Sequence, residues 1–162
     1  MWRTMLGIAG LALAMALPAV AQEEPQPANW AFRLGVWYPS SGTVRNRTTD
    51  FWVYFGVERN FPTIGTVSLD YSEGSDGNNK VRMFSLFVNS RQRYAPRLDL
   101  LAGLGLVNAK VDAPGVSRTR IRLGGTVGVA YTFTPRVELQ LRYQVAGFKE
   151  VNGFVATVNL RF

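Results

Sequence analysis

From Asn29 to the last residue, apolar and polar side chains alternate with a period of two. That is the spacing of a β-strand with unlike faces, not the 3.6 of an amphipathic helix. Eight segments are predicted. Trp30–Tyr38 places Trp30, Phe32, Leu34, Val36 and Tyr38 on one face; Phe51–Glu58 sets Phe51, Val53, Phe55 and Val57 against Trp52, Tyr54, Gly56 and Glu58. Thr63–Tyr71 has Val67, Leu69 and Tyr71 opposite Thr66, Ser68 and Asp70. Val81–Ser90 is the least regular, with Phe84, Leu86 and Val88 as its apolar face. Leu98–Ala109 and Ile121–Phe133 put Leu, Ile and Val on one side, and Asp99, Arg122, Thr126 and several glycines on the other. Val137–Val145 opposes Leu139, Leu141 and Tyr143 to Glu138, Gln140, Arg142 and Gln144. Phe154–Phe162 opposes Val158, Leu160 and Phe162 to Thr157, Asn159 and Arg161.

The connections are of two kinds. Residues 59–62, 91–97 and 134–136 each carry a proline and are compact, whereas 40–50, 72–80, 110–120 and 147–153 are longer or rich in Ser, Gly, Asn and Thr. Three tight turns alternating with four longer loops is the pattern of an all-β, eight-stranded antiparallel up-and-down barrel over residues 29–162. Both ends of that barrel then lie at the tight-turn rim.

The first residues follow another rule. Arg3 precedes an uninterrupted run of apolar and Gly residues from Met5 to Leu17, Pro18 ends the run, and Ala19-Val20-Ala21 has the small-x-small form of a cleavage site. Residues 1–21 are therefore expected to be a secretory signal peptide, and 22–28 (QEEPQPA) a short linker on the periplasmic side of the barrel. Cleavage changes the formal charge from +7 to +6, because Arg3 is the only charge removed.

Alternation does not decide which face is outside. A secreted, soluble, lipocalin-like barrel keeps its apolar face inward around a ligand; a membrane barrel turns it to lipid. Segments of 9–11 residues suit a tilted transmembrane strand. Aromatics at the ends of the apolar stripes (Trp30, Tyr38, Tyr131, Phe133, Tyr143, Phe154, Phe162) suit interfacial girdles. The charged fraction of 18% is below the roughly 25% of a soluble domain. A transmembrane β-barrel is the favoured reading, and the soluble barrel the alternative.

The final strand, Gly153-Phe-Val-Ala-Thr-Val-Asn-Leu-Arg-Phe162, resembles the C-terminal assembly signal of bacterial outer-membrane barrels, with Gly153, Val158, Leu160 and Phe162 at the expected positions. With the signal peptide and four hairpins, the chain resembles the small OmpA/OmpX-like outer-membrane barrels of Gram-negative bacteria. That resemblance implies insertion by the barrel-assembly machinery, contact with outer-membrane lipids, longer loops outside and tight turns in the periplasm. A monomer is expected.

Eight strands enclose a space that side chains just fill, so a general porin is not expected. The inward set holds Arg33, Glu58, Asp70, Asp99, Arg122, Glu138, Arg142 and Arg161. If Val145 faces Phe154, the same register sets Glu138 opposite Arg161 and Arg142 opposite Thr157. An ion pair Glu138–Arg161 is predicted, with Arg33–Glu58 a second candidate. Buried charges must be paired to be tolerated, so this network reads first as structural; a narrow ion-conducting channel is the other reading. Trp37, Trp52 and Tyr54 share the inward parity and either fill the barrel mouth or line a pocket for a hydrophobic ligand in transit.

Other chemistry finds little support. Cys and His are both absent, which removes thiolate sites and the commonest general base and zinc ligand. The known enzymes among small outer-membrane barrels depend on a His, so no catalytic residue, cofactor or metal is assigned. Gly103-Leu-Gly105 and Gly124-Gly125-Thr-Val-Gly128 lie inside strands with no following helix, and so do not read as phosphate loops. Asp70, Glu73, Asp76, Asn78 and Asn79 offer oxygen ligands for Ca²⁺, but at no recognised spacing. The basic residues form no single stripe, so nucleic acid is not an expected partner. Arg45, Arg47, Lys80, Lys110, Arg118, Arg120 and Lys149 fall in the outer loops, where they either meet lipopolysaccharide phosphates or are simply solvated loop charges interleaved with Asp112 and Glu150.

Overall fold

The computed structural model describes residues 29–61, 64–147 and 151–162. The expected signal peptide and linker, the start of the third predicted segment at Thr63, and Lys149 lie outside them. Eight strands run in order round a closed, wholly antiparallel barrel: β1 (Trp30–Pro39), β2 (Trp52–Phe61), β3 (Gly65–Asp76), β4 (Asn79–Ala95), β5 (Leu98–Ala113), β6 (Val116–Thr134), β7 (Val137–Val145) and β8 (Gly153–Arg161). Closure is completed by β1 and β8, whose ends exchange backbone bonds: Trp30 N–H donates to Phe162 O at 3.2 Å, and Phe162 N–H to Trp30 O at 2.9 Å. Closure matters because an open edge in lipid would leave N–H and C=O groups unsatisfied.

The stagger of the wall follows from the pairing. Passing from Asn29 through Asn60, Thr66, Asn89, Gly103, Thr126, Gln144 and Gly153 returns to β1 at Pro39, ten residues beyond the start. For eight strands that stagger corresponds to a tilt of roughly 40° and an interior that side chains can fill.

The alternating faces sort as hydropathy requires of a barrel in lipid. Leu34, Val53, Leu69, Phe84, Leu104, Leu123, Val127 and Leu141 are exposed, while Arg33, Glu58, Asp70, Asp99, Glu138 and Arg142 are buried. Aromatic clusters mark two levels of the outer wall. Tyr38–Phe51, Phe55–Tyr71, Tyr71–Phe84 and Tyr143–Phe154 pack with tilted rings near the outer rim, and Tyr131–Phe133 packs edge-on near the inner one. At the inner rim Arg59 also lies over the Trp30 and Phe61 rings.

Two expected loops are strand instead. Residues 72–80 and 110–120 continue β3–β4 and β5–β6 beyond the barrel, leaving two-residue turns at 77–78 and 114–115. Gly77 (φ 55°) and, after Pro114, Gly115 (φ 74°) supply the left-handed backbone those turns need. Above the lipid band the outward face no longer has to be apolar, so Glu73, Lys80, Arg82, Lys110 and Asp112 hid the strand signal. The 40–50 connection does leave the sheet and holds a short helix, α1 (Gly42–Arg47), which the period-two reading did not anticipate.

Candidate functional site

The lumen divides into two halves of opposite chemistry. Its outer half is an apolar plug of Trp37, Trp52, Met83, Phe87, Val107 and Val155, all fully or almost fully buried. Trp37 stacks on Trp52 (centroids 6.4 Å, 18° between planes) and on Tyr54 (6.3 Å, 22°). Trp52 Nε1–H donates to Thr48 Oγ1 and to Thr49 O, both at 3.1 Å, which ties the plug to the loop after α1. Space for the two indoles comes from glycines. A Cβ on Gly74 would lie 2.1 Å from the Trp52 ring, and one on Gly153 would lie 2.5 Å from Trp37 Nε1. Gly105 makes the same allowance for Phe87, and Gly124 for Val107. Gly153 thus has a packing role in addition to its place in the terminal strand.

The inner half is ionic. Arg33 Nη1 donates to Asp70 Oδ1 at 2.8 Å and lies 3.8 Å from Glu58. Tyr54 joins the two halves: its ring belongs to the plug, while its hydroxyl accepts from Arg142 at 2.8 Å and from Arg33 at 3.3 Å. Ser68 adds a hydroxyl to Asp70 at 3.0 Å. Nearer the inner rim, Glu138 accepts from Arg161 at 2.5 Å, from Arg91, from Gln140 at 2.8 Å and from Asn159 at 3.2 Å. Arg91 bridges onward to Asp99 at 2.8 Å, and Arg93 also pairs with Asp99. Glu58 and Asp70 thus meet Arg33, Asp99 meets Arg91 and Arg93, and Glu138 meets Arg91 and Arg161, while Arg142 stands on the Tyr54 hydroxyl; this mixing of opposite charges makes the burial of the carboxylates tolerable.

Some sequence expectations need correcting. The last hairpin pairs Tyr143, not Val145, with Phe154, so Glu138 faces Asn159 and Arg142 faces Val155. Glu138 and Arg161 still meet because a two-residue slip keeps every side chain on its face. Arg33 pairs more closely with Asp70 than with Glu58. Arg122 has inward parity but is exposed, because its stretch of β6 stands above the barrel; it is a rim residue, not a member of the buried network. Arg91 was missed, assigned to a compact turn when it extends β4. Its alternation with Arg93 was the available signal.

The oxygen-rich cluster does not converge. Asp70 is buried in the lumen, Glu73 lies on the outer face bonded to Tyr71 (2.5 Å) and Lys80 (2.7 Å), and Asp76 reaches the turn. Among the described residues no group of three or more acidic side chains is placed to hold a metal. On the protruding hairpins, hydrogen bonds from Ser117 and then Arg82 hold the Asp112 carboxyl below its ordinary range, and Lys80 followed by Tyr71 does so for Glu73.

Two hollows bear on transport. A space of about 20 Å³ at the inner mouth, bounded by Glu58, Asn60, Arg91 and Arg161, is the size of one water molecule. A groove of about 690 Å³, bordered by Val88, Ala102, Leu104, Gly125, Val127 and Val145, runs on the outward wall and not through the lumen.

No family model matches the sequence, and no match was found among curated proteins. Solved structures do match. Neisserial surface protein A shares 22% identity over 82% of this chain and 95% of its own, with a TM-score of 0.54. The attachment invasion locus protein Ail of Yersinia pestis shares 13% over 82% and 93%, with a TM-score of 0.51. A transmembrane β-barrel designed de novo shares 13% over 86% and 100%, with a TM-score of 0.56. A barrel built without a natural ancestor matches as well as the natural ones, so the likeness is one of fold.

Proposed function

Since the chain has the fold of the small eight-stranded outer-membrane barrels, we propose that it is an integral outer-membrane protein with a sealed, non-enzymatic barrel that presents its outer rim to partners. Export would use residues 1–21 as a cleaved signal, and insertion the barrel-assembly machinery acting on the Gly153–Phe162 strand. The observation that carries the reading is the filling of the lumen: an apolar plug of stacked rings lies above a charge-balanced network, with room at the inner mouth for about one water. Trp37, Trp52 and Tyr54 act in this reading as filler, not as a conduit. Lys80 and Lys110 stand just above the outer aromatic level, where outer-membrane lipids and lipopolysaccharide phosphates would be met. The protein works as a monomer.

Fractionation tests the placement. The full chain, expressed with its N-terminal segment in a Gram-negative host, is expected in the outer-membrane pellet after a urea wash, shifting in gel mobility only when boiled. Recovery as a soluble periplasmic protein rejects the proposal in favour of a secreted barrel.

A further inference from the structure

We propose that the free edge of β6 is a docking site for an extended, acidic segment of a partner protein, which adds to the sheet as one more strand. The inference rests on the rim-presenting role proposed above. β6 pairs with β5 along its whole outer part, from Val116 opposite Ala113 downward, but β7 begins to pair with β6 only at Gly125. Among the described residues, no backbone hydrogen bond joins the stretch above Gly125 to anything except β5. The β7–β8 loop touches its lower end, where Gly147 lies against Arg122 and Leu123; Val116 to Ile121 stand above that contact.

The turn defines which groups are open. A two-residue turn at 114–115 makes Ala113 and Val116 a hydrogen-bonded pair, so Arg118 and Arg120 bond to β5 in alternation. Ser117, Thr119 and Ile121 then direct their N–H and C=O groups at the open edge. An unpaired edge of this kind is a template for another strand.

Side chains specify the occupant. Arg118 and Arg120 are exposed on the mouth-facing side, beside Val111 and Ala109 of β5, and neither makes an ion pair among the described residues. Ser117, Thr119 and the 63% exposed Ile121 lie on the opposite side. An added strand places alternate residues directly opposite Arg118 and Arg120, with Cβ atoms about 5 Å apart, and the others beside Thr119 and Ile121. Acidic residues alternating with apolar or β-branched ones fit both faces. A second copy of this chain does not fit, since pairing edge to edge sets arginine against arginine.

The test uses the full chain folded in lipid nanodiscs and a synthetic peptide alternating Glu with Val. We expect binding, slowed amide exchange at Ser117, Thr119 and Ile121, and at least about tenfold weaker binding of a scrambled peptide of equal composition. The Arg118→Ser/Arg120→Ser variant, which leaves the barrel intact by boiling-dependent mobility, should also lose about tenfold. Equal binding of both peptides without amide protection overturns the proposal and leaves general attraction for polyanions, which sulfated polysaccharide or lipopolysaccharide would then compete away. Amide protection that rises with protein concentration alone assigns the edge to self-association and overturns it as well. So does absence of binding.

Discussion

Arg33 and Asp70 meet across the lumen at 2.8 Å from strands that are not neighbours, since β2 lies between β1 and β3. The contact therefore spans the interior, and Arg33 is wholly buried. Removing one partner strands a charge in a place where water cannot compensate. Asp70→Ala should lower folding stability by about 3–5 kcal/mol, read from reversible urea unfolding in lipid. Exchanging both residues for apolar ones of similar volume should restore most of that loss, because the desolvation cost disappears with the pair.

Glu138 is held by Arg91, Arg161, Gln140 and Asn159. The network is asymmetric: one carboxylate serves two guanidinium groups, and Arg161 is partly solvated whereas Glu138 is not. Glu138→Gln should therefore destabilise the barrel more than Arg161→Gln does. The same unfolding assay, run on both variants side by side, reads the order directly.

Gly74 gives its Cβ space to the Trp52 indole. Gly74→Ala should cost about 1–3 kcal/mol through displacement of that ring. The Trp52 fluorescence should shift with it, while Gly77→Ala in the adjacent turn strains the backbone without changing the emission.

Asp112 and Glu73 lie on the protruding hairpins with depressed carboxyl affinities for protons. A depressed group stabilises the fold above its unfolded value and loses that contribution as pH falls through the folded value. The pairing of the hairpin tops should thus persist through neutral and mildly acidic pH and fail only as pH falls below the ordinary carboxylate range. Carboxyl chemical-shift titration should place the Asp112 midpoint under that of a free aspartate, and Ser117→Ala should raise it. Solvent exposure keeps the effect on global stability small.

Strand number, direction, the inward and outward faces and most of the lumen set are legible in the sequence, because lipid and a closed interior impose opposite demands on alternate residues. What escapes has specific causes. The register of β7 against β8 depends on the length of loop left between them, which Val145 and Phe154 do not encode, yet the parity of Glu138 survives the slip. The outer parts of β3–β6 escape because lipid no longer dictates their outward residues. Arg91 escapes because Pro96 draws the whole of 91–97 into a turn, although the proline acts only at the turn itself. The division of the lumen into plug and ionic network was half visible: Trp37, Trp52 and Tyr54 share parity, but their stacking depends on Gly74 and Gly153 arriving from β3 and β8.

Whether the barrel is sealed can be read from the conductance of the purified protein in planar bilayers. The wild type should give no discrete current steps, whereas Trp37→Ala/Trp52→Ala, which opens the outer plug, should give detectable ones. Regular single-channel steps from the wild-type protein would show that the lumen is open and assign it to transport.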